Sequence, residues 1–250
     1  SSAASDVYKR QVGVAVGGEL MAGRRTLAVW CPDWPAVAAA ADADMSPDQP
    51  VAVISANRVV TCSATARAMG VRRGMRKRES QARCPSLHVV TVDAGRDGRY
   101  FDPVVAAVAE VIPTVEVLRP GLMVLPAAGA ARYFDGEEVA AEKLIDVISA
   151  CGVESQTGIA DELFTSVVAA RHGQIVPTGS DAEFLADLPI SELGAEPSLS
   201  AADRDQLIDL LWRLGVRTMG AFAQLASSDV ATRFGSDAVV AHRAARGMPG

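Results

Sequence analysis

Short apolar runs bounded by proline, glycine or asparagine recur along the first two thirds of the chain. Runs of this kind, rich in β-branched residues, are typical of buried strands. They predict strands at 24–30, 50–55, 59–63, 89–92, 115–118 and 122–125, and a further strand near 155. The residues Ala56-Asn57-Arg58 separate the second run from the third and indicate a hairpin, because Asn tolerates the left-handed turn conformation.

Apolar residues at helical spacing lie between these runs. Positions 101, 104, 105, 108, 111 and 112 predict a helix over 101–112, and segment 137–151 has an apolar side opposite a charged side. An alanine-rich helix opened by Pro35 is predicted over 34–43. Later in the chain, short helices are predicted at 182–185, 190–193, 202–214, 219–225 and 238–245.

This order of elements predicts an α+β fold with three parts. The strands near 26, 115, 122 and 155 form one mixed sheet with the helices between them. The hairpin at 50–63 belongs to a separate lobe, and the short helices after Phe164 form a small all-α domain.

The composition is that of a globular protein. The chain has 250 residues, of which 49% are hydrophobic, and that much apolar surface excludes a disordered chain. The four cysteines and three histidines lack the spacing of a metal site, so we expect no metal and free thiols in a reducing cytoplasm. No apolar run approaches the about 20 residues of a membrane helix, so we expect no membrane contact.

Both ends of the sequence have unusual features. The segment DVYKRQ at Asp6–Gln11 resembles the translation of a sequencing-library adapter, and Met21 follows it as a natural start. We therefore expect residues 1–20 to be a non-native or disordered leader. The chain stops at Arg246–Gly250, directly after a helical pattern and without a closing element, which is the pattern of a fragment.

The charge is distributed unevenly along the chain. The formal net charge of −6 argues by itself against nucleic-acid binding. Between Arg58 and Arg83, however, eight basic residues face one acidic residue, Glu79, so this segment carries +7 and the remainder −13. The cluster favours contact with phosphate groups over a merely solvated helix face. The candidate phosphate-binding residues in this segment are Arg67, Arg72, Arg73, Arg76, Lys77 and Arg78.

A second candidate for phosphate binding lies at 211–225, where two predicted helices are joined by LGVRTMG. Glycines in such a turn can bring backbone N–H groups against a phosphate at the start of the second helix, as in a helix-hairpin-helix. An ordinary helical hairpin with a glycine cap is the alternative. The candidate residues are Gly215, Arg217, Thr218 and Gly220.

The segment VTCSATARAMGVRRGM lies at Val60–Met75 and is followed by CPSL at Cys84–Leu87. These motifs resemble those of the Y-family (translesion) DNA polymerases. The segments Gly158–Ala160 and Leu188–Thr218 also match. RYFDGEE at Arg132–Glu138 is most similar to the ImuB-type mutasome accessory proteins of this family.

The resemblance implies a right-hand fold without its last domain. The palm is expected at 24–33 and 95–165, the small fingers lobe at 34–94, and an all-α thumb with the helix-hairpin-helix at 166–246. The family's C-terminal little-finger domain is absent from this sequence.

The departures from the family pattern concern its metal-binding carboxylates. The first strand of the family ends in a carboxylate followed two residues later by Asp, whereas Trp30 and Pro32 occupy these positions and Asp33 is one residue out of register. The family's Asp-Glu pair falls on Gly121 and Leu122. The resemblance therefore implies that no catalytic residue, no metal site and no cofactor remains.

The family groups that hold the incoming triphosphate are also largely replaced. The family's arginine is retained as Arg67, but its tyrosine corresponds to Ala64 and its lysines to Leu163 and Val167.

These residues lead to the hypothesis of a catalytically inactive scaffold that binds primer-template DNA in translesion repair and SOS mutagenesis. The resemblance implies an error-prone replicative-type polymerase and a sliding clamp as partners, the clamp being contacted through a region beyond this sequence, and a cytoplasmic, nucleoid-associated location. Two alternatives stay open. One is an active error-prone polymerase in which displaced carboxylates, Asp33, Asp161 or Glu162, hold Mg²⁺; the other is a protein-interaction module that does not bind DNA.

Overall fold

The computed structural model describes residues 24–200 and 204–249, so the leader predicted at 1–20 lies outside the described residues. Its strands are β1 (Thr26–Trp30), β2 (Val51–Ser55), β3 (Arg58–Cys62), β4 (His88–Thr91), β5 (Glu116–Arg119), β6 (Leu122–Pro126) and β7 (Gln156–Ala160). Its helices are α1 (Trp34–Asp42), α2 (Ala64–Ala68), α3 (Lys77–Arg83), α4 (Ala94–Val111), α5 (Ala127–Phe134), α6 (Glu137–Ala150), α7 (Leu163–His172), α8 (Asp181–Ala186), α9 (Asp205–Arg213), α10 (Met219–Ala223), α11 (Ser227–Phe234) and α12 (Ser236–Ala245).

The larger sheet has the strand order β5-β6-β1-β7 and is antiparallel throughout. The central strand β1 alternates its side chains between two buried faces, because successive residues of a strand point to opposite sides. Leu27 and Val29 face a core built with α4, α5 and α6, whereas Ala28 faces a second core that contains Val167 of α7. Both faces of the sheet are therefore covered by helices.

The smaller sheet has the order β3-β2-β4 and forms the separate lobe predicted from the hairpin. Ala56 and Asn57 link β2 to β3 with φ angles of 46° and 64°, the left-handed conformation that a tight two-residue hairpin requires. The strand β4 runs parallel to β2, and the helices α2 and α3 pack on this sheet. Helix α1 connects the two sheets, since it contacts both α4 and β2.

The helices α8 to α12 and two short 3₁₀ turns, Ile190–Gly194 and Pro197–Leu199, form a third unit around a core of their own. Phe222, Leu185 and Leu211 are completely buried in this core. Val168 of α7 also contributes to it, although α7 packs mainly on β7 and β1. The palm–thumb boundary predicted at 165/166 falls inside α7, and the domain limits stay a prediction.

The predicted strands all form, and the differences concern helices. The helix predicted at 101–112 begins at Ala94, because the side chain of Asp93 caps it by accepting a hydrogen bond from the Arg96 N–H. Helices α2, α3, α5 and α11 were not predicted. Of the residues described, no helix is long and apolar enough to cross a membrane.

The contact between β7 and α7 depends on Gly158. A Cβ atom at this position would lie 2.0 Å from the backbone nitrogen of Ala170 and 2.4 Å from the carbonyl carbon of Ala169. Only a residue without a side chain therefore allows α7 to approach the sheet this closely.

We expect Gly158→Ala to lower the free energy of unfolding by at least about 3 kcal/mol, because backbone atoms must move apart to admit the methyl group. Urea unfolding measures the effect. Gly129→Ala is the matched control: no atom lies within 4 Å of a Cβ there, and in helix α5 the change is expected to stabilise by up to about 1 kcal/mol. Equal midpoints for Gly158→Ala and the wild type would contradict the packing described here.

A buried ion pair joins the larger sheet to the helical unit. The guanidinium of Arg119, at the end of β5, binds the Glu196 carboxylate through two contacts, Nε–Oε1 at 2.9 Å and Nη2–Oε2 at 2.7 Å. The Glu196 side chain is only 2% exposed. Burial would raise the pKa of Glu196, but the hydrogen bond and charge of Arg119, with hydrogen bonds from Ser198, hold it below its ordinary value.

Arg119→Met should lower the free energy of unfolding at neutral pH by about 3 kcal/mol, because a buried carboxylate is left without its partner. A carboxyl group whose pKa is lower in the folded protein stabilises the fold above the ordinary pKa of the group. This stabilisation is lost as the pH falls through the lowered pKa. In the variant burial, the largest influence on Glu196, is opposed only by the hydrogen bonds from Ser198, so the pKa of Glu196 rises and the penalty is relieved on acidification. The difference between the two proteins is expected to shrink from pH 7 to about pH 4.

Denaturant midpoints across this pH range check the prediction, with Arg83→Met as the control. Arg83 pairs with Glu79 at 3.9 Å at the surface, with its side chain 54% exposed, so its loss should change stability by less than about 1 kcal/mol at any pH. A pH-independent difference for Arg119→Met would exclude Glu196 as its cause.

Candidate functional site

A cleft of about 340 Å³ lies where the larger sheet, the smaller sheet and the helical unit meet. Four segments contribute from the larger sheet and its helices: the end of β1, the β5–β6 turn, the start of α4 and the end of α7. Its lining residues are Trp30, Asp33, Trp34, Pro35, Val60, Thr61, Arg73, Ala94, Asp97, Arg119, Pro120, Arg171, Ala195 and Pro197.

Strand pairing brings together the three positions at which the resemblance expects catalytic carboxylates. In the antiparallel register of β1 and β6, Trp30 stands directly opposite Leu122. The next residue, Cys31, donates its backbone N–H to the carbonyl oxygen of Gly121 at 2.8 Å. The geometry of a converging site is thus present, but none of these three residues carries a carboxylate.

The space that carboxylates would need is filled. Leu122 is completely buried in an apolar cluster with Ala28 and Val167. Gly121 has a φ of +84°, and a Cβ atom there would lie 2.4 Å from Cβ of Trp34. A side chain at position 121 would therefore displace Trp34 and strain the backbone.

Trp30 is covered by a cation. The guanidinium carbon of Arg171 lies 4.8 Å from the centre of the Trp30 ring, and its Nη1 donates a hydrogen bond to the carbonyl oxygen of Ala195 at 2.8 Å. Burial lowers the pKa of Arg171, the negative charges of Glu192 and Glu196 oppose this shift, and the positive charges of Arg119 and Arg73 add to it. A guanidinium thus stacks on the ring at the end of β1, where the family resemblance expects a carboxylate.

The two carboxylates that line the cleft are both engaged in ion pairs. The Asp33 carboxylate accepts from the guanidinium of Arg67 at 2.7 Å, and that of Asp97 from Arg96 at 2.8 Å. The Arg96–Asp97 pair is almost fully buried, and burial raises the pKa of Asp97 despite its partner. Neither carboxylate is free to bind a metal ion without breaking its pair.

The second carboxylate considered from the sequence, Asp161, lies elsewhere. It follows Ala160, which pairs with Thr26 at the start of β1, so about 13 Å of strand separate it from the Trp30 end. Its side chain accepts hydrogen bonds from the guanidinium of Arg25 at 2.8 Å and from the Gly179 N–H at 2.6 Å. Asp161 is therefore part of a structural ion pair outside the cleft.

Glu162 begins helix α7 next to Asp161 and faces other carboxylates. The backbone N–H groups of Asp161 and Glu162 both donate to the carboxylate of Asp181. Burial raises the pKa of Glu162, and the negative charges of Asp181 and Asp161 raise it further. The Asp181 carboxylate thus accepts the two backbone N–H groups that precede helix α7. These carboxylates do not form a set of ligands that converges on a metal ion.

These observations bear on the Mg²⁺ ions that the family resemblance implies. Hard cations need several oxygen ligands that converge on one point. Among residues 24–200 and 204–249, no group of three or more His, Cys, Asp and Glu side chains could hold a metal ion. The residues at the end of β1 and in the β5–β6 turn therefore do not fit Mg²⁺.

The positions expected to hold a triphosphate are equally altered. Arg67 is retained, but Asp33 neutralises its guanidinium, which also donates to the carbonyl oxygen of Cys62 at 2.9 Å. Val167, at one of the two positions where the resemblance expects a lysine, is buried in the core between β1 and α7.

The basic segment lies mostly at the surface of the smaller lobe. The guanidinium of Arg72 donates to the carbonyl oxygens of Arg67 and Val71 and so fixes the turn after α2. Arg73 belongs to the same turn and reaches the cleft. Within the described part of the chain, no ion pair or side-chain hydrogen bond engages Arg73, Arg76, Lys77 or Arg78.

The turn at 214–220 joins helices α9 and α10. Gly215 has a φ of +88° and closes α9, with its N–H bonded to the carbonyl oxygen of Trp212 at 3.1 Å. Gly220 has a packing role, since a Cβ atom there would lie 2.8 Å from the carbonyl oxygen of Ala186. Thr218 caps α10 by accepting the Ala221 N–H.

Two exposed groups mark the outer side of this turn. The guanidinium of Arg217 lies 3.9 Å from the centre of the Trp212 ring, and Trp212 and Leu214 are 51% and 61% exposed. The N–H of Met219 is already bonded to the carbonyl oxygen of Leu188. Because this N–H group is occupied, a phosphate at the start of α10 would contact the Arg217 side chain rather than a complete set of free backbone N–H groups. Phosphate binding at this turn stays a prediction.

Sequence reasoning missed the contribution of Arg119, Arg171 and Glu196 to the cleft. Arg119 and Glu196 lie 77 residues apart in the sequence, and no local pattern links them. Arg171 stands near the end of a helix, where a basic residue is ordinary.

Comparisons with known proteins agree with this architecture. A family model described as the impB/mucB/samB family matches residues 34–171. No curated protein matches the chain. An insertion ternary complex of Dbh DNA polymerase superimposes with a TM-score of 0.70 at 16% identity, covering 89% of this chain and 67% of that one. DinB from Sulfolobus solfataricus gives a TM-score of 0.67 at 17% identity over the same shares of both chains.

A Y-family DNA polymerase chimera of Dbh and Dpo4 is similar to the same extent, with a TM-score of 0.69 at 16% identity, covering 89% of this chain and 67% of that one. At such identities the superpositions establish the fold, and they confirm the expected right-hand α+β architecture. The family model covers more than half of the sequence. The chain therefore belongs to the impB/mucB/samB family and has the fold of the Y-family DNA polymerases.

Proposed function

We propose that this protein is a non-catalytic member of its family that binds DNA as a scaffold of the ImuB type in translesion repair and damage-induced mutagenesis. The proposal rests on one observation. Trp30 pairs with Leu122 next to Gly121, and these three residues occupy the positions where catalytic carboxylates are expected.

The chemistry of phosphoryl transfer supports the loss of catalysis. Two-metal catalysis requires cations about 3.5–4 Å apart, and carboxylates must offset the repulsion between them. The carboxylate nearest in sequence to the end of β1 is that of Asp33, and it is held by Arg67. A tryptophan, a glycine and a buried leucine supply no ligand, so nucleotidyl transfer is not expected.

The distribution of basic groups supports DNA binding. The side chains of Arg73, Arg76, Lys77 and Arg78 are not neutralised within the described part of the chain, and each phosphate contact they make would release counterions. Arg217 adds a cation beside the exposed Trp212 on the helical unit. Two similar solved structures are described as ternary complexes, which agrees with a fold that accommodates nucleic acid.

The wider role rests on the resemblance to ImuB-type proteins. RYFDGEE at Arg132–Glu138 spans the end of α5 and the start of α6. By this resemblance the partners are an error-prone replicative-type polymerase, which would perform the synthesis, and a sliding clamp.

The first test is primer extension on a lesion-free and a lesion-containing template with Mg²⁺ or Mn²⁺. We expect no nucleotide incorporation above the no-protein control, and no change in Asp33→Ala. Incorporation by the wild type that Asp33→Ala abolishes would instead support an active polymerase with displaced carboxylates.

The second test is salt-dependent binding to primer-template DNA. Replacing Arg76, Lys77 and Arg78 by Ala should weaken binding and reduce the slope of log Kd against log salt by up to about 3, one for each lost phosphate contact. Lys143→Gln is the control, because it removes an exposed cation from α6, a helix of the larger sheet. It should change neither the affinity for DNA nor the salt dependence of binding. Absence of any salt-dependent binding by the wild type would favour a protein-interaction module.

A further inference from the structure

The turn between α9 and α10 presents an aromatic ring at the surface. Trp212 is 51% exposed, whereas Trp34 is buried and Trp30 is covered by Arg171. Tryptophan has a large apolar surface and is highly buried on average. The half-exposed ring of Trp212 is therefore a candidate contact for a ligand.

Arg217 holds this ring in place. Its guanidinium carbon lies 3.9 Å from the ring centre, and its Nη1 donates a hydrogen bond to the carbonyl oxygen of Trp212. The backbone of the turn is also fixed, because the Ile190 N–H donates to the carbonyl oxygen of Arg217 at 2.9 Å. The guanidinium stacks on one face of the ring, so a cation and an aromatic surface are presented together in a fixed arrangement.

The backbone donors at the start of α10 are used inside the protein. The Met219 N–H donates to the carbonyl oxygen of Leu188 at 2.9 Å, and the Ala221 N–H donates to the hydroxyl oxygen of Thr218 at 3.1 Å. A helix-hairpin-helix uses backbone groups of this kind to contact the phosphates of a duplex. This turn presents a ring and a guanidinium instead.

We propose that Trp212 stacks on an unpaired base of a DNA strand while Arg217 contacts a neighbouring phosphate, so that this turn binds single-stranded rather than duplex DNA. The inference rests on the proposed function and adds which form of DNA the helical unit binds. Proteins that bind single strands combine cations along the backbone with aromatic rings on which bases stack. In a duplex, both faces of each internal base are already stacked on neighbouring bases.

The charges around the ring favour a strand on one side of it. Residues 212–220 include Arg213 and Arg217 and no acidic residue. Asp209 lies three residues before Trp212 on α9, and this spacing places it beside the ring. Because a phosphate is repelled by Asp209 and attracted by Arg217, we expect the strand to pass along the Arg217 side.

The test compares a strand that has bases with a strand that has none. The full chain is titrated by fluorescence anisotropy into labelled oligothymidine of about 16 nucleotides and into an abasic strand of equal length and charge. We expect the wild type to bind oligothymidine at least about fivefold more tightly, which corresponds to the smallest gain from stacking one base on an aromatic ring. Trp212→Leu should bind the two strands with equal Kd, within about twofold, because the variant lacks the ring.

Tyr133→Leu is the matched control. Tyr133 is 72% exposed on α5 of the larger sheet, so its replacement also removes an exposed aromatic ring. It should leave the preference for oligothymidine unchanged. Tryptophan fluorescence is the second readout: unlabelled oligothymidine should quench it in the wild type and in Tyr133→Leu, and the quenching should be lost in Trp212→Leu.

The salt dependence separates the ring from the cation. The ring has no charge, so Trp212→Leu should leave the slope of log Kd against log salt for oligothymidine unchanged. Arg217→Gln should lower this slope by up to about 0.7, the contribution of one phosphate of a single strand. On a blunt duplex, Trp212→Leu should bind like the wild type, within about twofold.

Three results would overturn the inference: equal Kd values of the wild type for the two strands, an unchanged preference for oligothymidine in Trp212→Leu, or an equal loss of affinity for duplex and single strand in that variant. In each of these cases the proposed function is upheld if primer-template DNA binds with a salt dependence and binding weakens when Arg76, Lys77 and Arg78 are replaced. A wild type that binds no DNA at all would contradict both.

Discussion

The pairing of β1 with β6 is the constraint on which the cleft depends. β1 lies inside the larger sheet with apolar cores on both faces, so a shift of one residue would move the large side chains of Leu27 and Val29 into the core that accommodates the small Ala28, and would leave a void in their own. Its register is therefore fixed by burial. Once it is fixed, Trp30, Leu122 and Gly121 must meet at the end of the sheet, whatever chemistry they carry.

The residues at this meeting point make packing and cationic contacts. Leu122 joins the core under α7, and Gly121 leaves room for Trp34. Arg171 stacks on Trp30, and Arg119 binds Glu196 of the helical unit. Carboxylates would repel one another here without cations, whereas the observed side chains tie the units together by internal contacts. The fold is thus retained while the expected ligands of the metal are replaced.

Much of the fold could be predicted from the sequence because it is encoded locally. The apolar runs predicted the strands. Asn57 predicted the hairpin turn, and its own φ angle of 64° is the left-handed conformation that such a turn needs. Helix α5 was missed because its sequence, AAGAARYF, is short and has small residues without a clear apolar stripe. The positions Trp30, Gly121 and Leu122 were identified by resemblance, and the strand register places them together.

The polar contacts of the cleft could not be predicted, because they join residues distant in sequence. Arg67 was a candidate phosphate ligand, yet its partner is Asp33, across the boundary between two lobes. Arg171 and Glu196 carried no signal beyond their charge. Three units pack around the end of β1. Only this packing decides which arginines are neutralised by carboxylates and which keep free N–H donors.

We propose that this strand end does not hold the metal ions of a polymerase. Electron paramagnetic resonance titration of Mn²⁺, in the presence of primer-template DNA and a nucleotide, measures this directly. The account predicts that the protein adds no bound Mn²⁺ beyond that held by the nucleic acid and nucleotide alone. One or two additional Mn²⁺ ions per chain, released by Asp33→Ala, would contradict it.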